Sequence, residues 1–343
     1  MIRIRLVSCA VGCASLVLGC STGTTSVESA RPSAPGPALS ASPTTTASPS
    51  PSLDLPTPVD IEAAGALAID GIPADWTVVV DGQAWIAGPS QSIWVFDASG
   101  RTVHKVPVPG ACESMDTGFG AVWSASCEPA GIYRVNPRTF AVDRVDFEDP
   151  IADSEASVGA GEGAVWVVAG AASDLLLGVD PRKLKVVHRF PIPAGGAGVR
   201  AAFGGVWVTM PNDDELLRVD PSSGQVVATI PVGDGPRFLA VGESSVWVMN
   251  QTPGTISRVD PATNEVTATI ATSMQVYGGD LAVGGGSVWV RGGPELLFRV
   301  DPKTNRVTEW YRPDAGSGSA AADDDAVWVT AHDVSKIWRL PLK

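Results

Sequence analysis

A tryptophan flanked by small or β-branched apolar residues recurs through this chain at a nearly fixed interval, which limits the possible folds more than any other feature. The copies are Ala84-Trp85-Ile86, Val122-Trp123-Ser124, Val165-Trp166-Val167, Val206-Trp207-Val208, Val246-Trp247-Val248, Val288-Trp289-Val290 and Val327-Trp328-Val329. The seven tryptophans are spaced 38, 43, 41, 40, 42 and 39 residues apart. A period of this size marks a repeat architecture, in which each unit covers a face of its neighbour.

The clearest unit runs from Phe238 to Ile270. Phe238 to Gly242 is a short apolar run, and Glu243-Ser244-Ser245 is a tight turn. Val246 to Asn250 makes a second strand, and Thr255 to Asp260 alternates as a third. Pro261-Ala262-Thr263-Asn264 turns the chain, because proline presets its dihedral and asparagine tolerates the left-handed region. Glu265 to Ile270 alternates again. Four antiparallel strands in forty residues make one propeller blade. The Asp-Pro turn repeats at Asp180-Pro181, Asp220-Pro221 and Asp301-Pro302, with weaker forms at Asn136-Pro137 and Asp97-Ala98. The tryptophans then fill the layers between blades, which accounts for 11 Trp beside 3 Tyr and 8 Phe. With 37 Gly and 28 Pro, long helices cannot dominate.

The last unit, Ala320 to Lys343, lacks its fourth strand. Gly65 to Asp70 precedes the first unit at the spacing of an outer strand. The expected fold is therefore all-β: a seven-bladed β-propeller of four-stranded antiparallel blades, its ring closed by an N-terminal strand that completes the last blade. Closure of this kind also removes an exposed edge.

Ahead of the propeller, residues 1–20 carry Arg3 and Arg5, then an apolar stretch from Leu6 to Leu18 that is too short to span a membrane. The stretch ends in Val17-Leu18-Gly19-Cys20, which resembles a bacterial lipobox. That resemblance implies cleavage before Cys20 and lipid attachment to it. Residues 1–19 are then a signal peptide. Residues 20–58 are a lipidated cysteine and a Ser/Thr/Pro/Ala-rich tether with too few large apolar residues to order itself. Residues 59–343 are the propeller. The expected location is the outer face of the bacterial cell membrane, reached through the lipid, with the protein a monomer.

The net charge of −13, from 24 basic and 37 acidic residues, argues against a nucleic-acid partner. Cys9 and Cys13 leave with the signal, so Cys112 and Cys127 remain as a pair in an oxidising compartment, where a disulfide is favoured. A metal pair is the alternative reading, but no neighbouring histidine completes a site.

Val246 to Val248, Arg258 to Val266 and Thr229 to Pro236 together resemble the YVTN-type β-propeller repeat family. The resemblance covers roughly residues 65–343 and implies a secreted or surface binding protein. The same seven-bladed group includes the streptogramin B (virginiamycin B) lyases, which would imply magnesium-assisted opening of a cyclic depsipeptide lactone by histidine and glutamate groups. Only His332 ends a second strand near a loop face, whereas His104 and His188 fall on outer strands. No Gly-x-Ser-x-Gly, His-Glu-x-x-His or Walker pattern occurs.

The repeat places Asp75, Glu155, Arg200, Arg237 and Asp280 near the starts of inner strands, and Asn250, Arg291 and His332 at the ends of second strands. All belong to the face where connections between blades gather. A mixed-charge funnel mouth is expected there, with Arg200 and Arg237 as forks for a carboxylate or phosphate-like group, unless they pair with nearby Asp and Glu. The function expected is non-catalytic binding of a protein partner or small polar ligand, without cofactor or metal. The alternative is a magnesium-dependent carbon–oxygen lyase.

Overall fold

The Val-Trp-Val segments become the second strands of seven antiparallel sheets, and each is buried along most of its length, as at Ala164–Ala169 and Ala326–Ala331. This is a computed structural model, and it describes residues 55–88, 91–153, 155, 158–272, 278–293 and 295–342. The segments expected to be the signal peptide and most of the tether, Cys20 included, lie outside those residues. Blades 1 to 6 are ordered along the chain, with inner strands at Thr77–Val80, Ala111–Gly118, Val158–Gly161, Val199–Ala202, Pro236–Gly242 and Asp280–Gly284. Blade 7 comprises Ala320–Ala322, Ala326–Ala331 and Lys336–Pro341, and its outer strand is Leu67–Asp70.

The register of closure is Leu67 opposite Arg339 through Asp70 opposite Lys336. The ring thus closes as the spacing predicts. One element was not foreseen: Val59–Asp60 adds in parallel to the outer edge of blade 6, against Tyr311 and Arg312, and makes that sheet five-stranded. Ile61, next in sequence, is fully buried beside Leu296, Leu297 and Tyr311.

Each repeating tryptophan is completely buried. In five blades its indole N–H donates to the carbonyl five residues earlier, as Trp247 does to Gly242 (3.1 Å). The third-strand residue directly opposite is arginine in blades 2, 4, 5, 6 and 7. In blades 4 to 7 that guanidinium lies over the indole at 4.9–5.9 Å. In blades 1 and 3 the opposing residue is Val95 or Gly178, and the next strand sends His104 or His188 into the gap. His188 stacks on Trp166 at 5.4 Å, and His104 on Phe140, which in turn stacks on Trp85. His188 therefore packs directly on the tryptophan layer, whereas His104 reaches it only through Phe140 and stays exposed.

In blades 2, 4, 5 and 6 the turn after the third strand reaches back to the preceding blade's cover. Arg218 donates to Pro261 O and Asn264 Oδ1 of blade 5, and Arg258 donates to Pro302 O and Asn305 Oδ1 of blade 6. Phe140 fills the equivalent turn position over blade 1. Gly224 does so where Phe190 leaves no room: a Cβ there would come 2.4 Å from that ring. The turn residue is thus matched to its neighbour's cover.

Inner strands approach closely. At Gly161 an added Cβ would stand 2.2 Å from Ala201 O. Cys112 and Cys127 form a disulfide, as the compartment argument predicts, with Cα atoms 5.5 Å apart. It ties the start of blade 2's inner strand to the loop after its second strand. With the cysteines 15 positions apart in sequence, it constrains the unfolded chain by roughly 3 kcal/mol.

Candidate functional site

The inner strands start on the face where the between-blade connections gather, and positions nine and seven before each repeating tryptophan line the channel from that end. The first tier includes Trp76, Ser114, Phe238, Asp280 and Ser319, and the second includes Asp116 and Arg200. Trp76 and Phe238 meet edge to face at 5.7 Å. Blades 1 and 5 are not neighbours in a ring of seven, so this contact lies within the channel and obstructs its mouth. Arg237 lies over the Phe238 ring at 5.6 Å and pairs with the loop before blade 3, again across an intervening blade. Its Nε donates to Glu155 Oε2 (2.9 Å), and its Nη2 donates to both oxygens of Asp153 (3.0 and 2.9 Å). The Arg237 fork is therefore occupied.

Inward from Trp76 is a cavity of about 260 Å³ lined by residues from all seven inner strands or their starts. Its walls are mostly Ala and Val, and they continue to Val79, Val241, Val283 and Ala322 beside the first turn of their blades. Asp116, Arg200 and Asp280, from blades 2, 4 and 6, supply its ionisable groups. Each is pinned by hydrogen bonds to fixed groups. Asp116 accepts from Thr117 N and Ala160 N, both at 2.8 Å. Asp280 accepts from Leu281 N (2.8 Å) and from the Ser319 hydroxyl (2.7 Å). Arg200 Nη1 donates to Val158 O (3.0 Å) and Val199 O (2.9 Å). Among the described residues no carboxylate comes within 4.0 Å of the Arg200 guanidinium.

Burial dominates the electrostatics. It pushes the Asp280 carboxyl up from 3.8 to about 6, against the pull of Arg200 and the hydrogen bonds it accepts. Asp116 is raised for the same reason, again against Arg200. Because the folded pKa of Asp280 exceeds the unfolded one, the folded state holds this proton more tightly. Ionising Asp280 therefore costs stability, a cost absent below pH 4 and complete above about pH 6. The displacement corresponds to at most ~3 kcal/mol at neutral pH. Asp280→Asn is expected to raise the melting midpoint at pH 7.5 and to lose that advantage at pH 4. An equal effect at both values would disprove this account.

Asn250 and Arg291, expected at the mouth, stand in the wall, and neither has exposed surface. Asn250 Nδ2 donates to Thr255 Oγ1 and Ser257 Oγ, tying its own loop. Arg291 donates to Thr330 O (3.0 Å), Gly316 O (2.7 Å), Glu295 O (3.3 Å) and Gly292 O. Burial lowers its pKa to about 10, opposed by Asp75 and Asp333, so it stays charged at neutral pH. The position two after the tryptophan explains its direction. Thr209 and Thr330 occupy it in blades 4 and 7 and bond to Arg237 O and Asp75 O of the following blade. Arg291 makes the same cross-blade reach. His332 does sit at the rim, with Nδ1 3.5 Å from Asp75 Oδ2 and Nε2 2.8 Å from Asp333 Oδ1. Among the described residues no three His, Cys, Asp or Glu side chains gather in a group able to hold a metal ion.

Several solved structures share the fold. Virginiamycin B lyase from Staphylococcus aureus superposes with a TM-score of 0.69 at 15% identity, over 81% of this chain and 99% of that one. U3-55K gives 0.67 at 10% identity, over 82% and 99%. The Cps50 (Swd1) β-propeller domain of Myceliophteria thermophila gives 0.66 at 10% identity, over 81% and 98%. At these identities the likeness is one of fold. No protein-family model and no curated protein matches the chain.

Proposed function

We propose that this protein is an exported, lipid-anchored propeller that binds a small polar ligand in its central channel without transforming it. The observation that supports this reading is the set Asp116, Arg200 and Asp280: three ionisable groups held by neighbouring backbone in a cavity. Holding desolvated carboxylates there costs stability, a common mark of a site kept for function. The histidines that acid–base chemistry would call on are elsewhere. His188 packs on the tryptophan layer, His104 stacks on Phe140, and His332 is at the rim. The lipobox at Cys20 supplies the anchor, and Cys20→Ser should move the protein from the membrane fraction to the soluble one.

A second reading rests on His332 between Asp75 and Asp333, together with the fold shared with virginiamycin B lyase. It makes the protein a magnesium-dependent lyase acting at the rim. Thermal unfolding of the full-length protein in detergent separates the two. The panel is amino acids, sugars, anions and cyclic depsipeptides, each with magnesium and with chelator. A ligand at 100 times its Kd adds about 2.7 kcal/mol, several degrees for a domain of this size. A chelator-insensitive shift is the expected result. A magnesium-dependent shift with a linearised depsipeptide product, abolished by His332→Ala, would replace binding with catalysis.

A further inference from the structure

We propose that the channel cavity is a site for a small ammonium compound that also carries an anionic oxygen, of the amino-acid type, with the ammonium between Asp116 and Asp280 and the anion on Arg200. This rests on the binding function proposed above and names its ligand class. Size is the first argument. At about 260 Å³ the cavity lies just under the roughly 300–1,000 Å³ of drug-sized pockets, so the occupant is small.

Charge is the second. Two carboxylates face one guanidinium, and the three come from blades 2, 4 and 6 instead of adjoining blades. They are separated around the channel, and Arg200 makes no ion pair with either acid. A buried carboxylate that has fixed donors but no paired cation favours one. Arg200 Nη1 is taken by two carbonyls, while its Nε and Nη2 make no hydrogen bond to the described residues, and a carboxylate can accept from that edge. A simple diamine would leave this edge unmet, and a simple anion would leave both acids unmet. A zwitterion meets all three groups.

The test is calorimetric titration of the full-length protein in detergent. The probes are glycine, alanine and lysine, with 1,4-diaminobutane, acetate, glucose and inorganic phosphate as controls. The proteins are wild type, Asp280→Asn, Arg200→Gln and, as a surface control, Asp70→Asn. Saturable binding of at least one amino acid is expected, at least ten-fold tighter than 1,4-diaminobutane or acetate. Asp280→Asn and Arg200→Gln should each weaken it at least ten-fold, and Asp70→Asn should not. Melting curves confirm that each variant is folded. Should Arg200→Gln fail to fold, Asp280→Asn with the probe series still decides. Glucose or phosphate binding that is lost in both channel variants would overturn the zwitterion while leaving a binding channel intact. Amino-acid binding that ignores both variants would overturn the location. No binding by any amino acid at millimolar concentration would overturn the ligand class.

Discussion

Deleting residues 59–70 from the full-length chain is expected to lower the melting midpoint by roughly 10–20 °C, the largest effect predicted for this molecule. The segment supplies the fully buried Ile61, the parallel addition at Tyr311 and Arg312, and the four-residue ladder against Lys336–Pro341. Losing Ile61 contacts alone costs about 2–5 kcal/mol. Removing the ladder leaves blade 7 with three strands and an open edge. Glu62 also goes, and with it the carboxylate that accepts from Lys336 Nζ (2.7 Å) and Trp338 Nε1 (3.1 Å). At about 2–4 °C per kcal/mol, a loss of 5 kcal/mol gives the stated range. Differential scanning calorimetry checks it, and gel filtration should show self-association through the bared strand. A midpoint within about 2 °C of wild type would mean that closure does not hold the ring.

Arg291→Ala is expected to destabilise the protein by about 3–5 kcal/mol. No surface of Arg291 reaches solvent, and its guanidinium serves the carbonyls of Thr330, Gly316, Glu295 and Gly292. Truncation leaves those acceptors unsatisfied in a cavity the size of the lost side chain. Arg291→Lys should recover part of the loss, since an ammonium keeps the charge but cannot span the same fork. Arg237→Ala makes the contrast. Its ion pairs with Asp153 and Glu155 are partly exposed, so about 1 kcal/mol is expected. Urea denaturation of the three variants measures the order directly. Equal losses for Arg291→Ala and Arg237→Ala would contradict the assignment of Arg291 to the wall.

These two arginines also show where sequence reading stops. Counting from the tryptophans fixed the blade, the strand and the strand end for both, Arg237 at the start of an inner strand and Arg291 at the end of a second. For Arg237 it left open whether nearby acids take the fork. For Arg291 it did not give the direction of the side chain, because the end of a second strand borders both the mouth and the next blade. The distinguishing signal lies in the repeat itself. The position two after the tryptophan is apolar in blades 1, 2, 3 and 5, and polar in blades 4, 6 and 7, where it reaches across.

Seven blades and the closing strand were legible because a forty-residue period and a missing fourth strand each have one physical solution, and the disulfide because an even cysteine pair without a neighbouring histidine favours it over a metal. The channel was less so. Trp76 and Phe238 stand nine residues before Trp85 and Trp247, outside the main period, and only the ring brings them together. Asp116 was not singled out at all. It would have emerged from aligning the positions seven before each tryptophan, where it and Arg200 are the two charged residues among Val78, Gly159, Ala240, Ala282 and Ala321. The placement of the two histidines needed the pairing register, since each lies opposite the residue, Val95 or Gly178, that stands where other blades have arginine.

The order of the first two pairings has a mechanical consequence. A pull on the chain ahead of the propeller is met first by Val59–Asp60, held on blade 6, and only then by Leu67–Asp70, which closes blade 7. Residues 61–66 lie between them, so traction on the leading segment is borne by a sheet already complete with four strands of its own. The short parallel pair acts as a strain relief: for as long as it holds, the joint that keeps the ring shut carries no load.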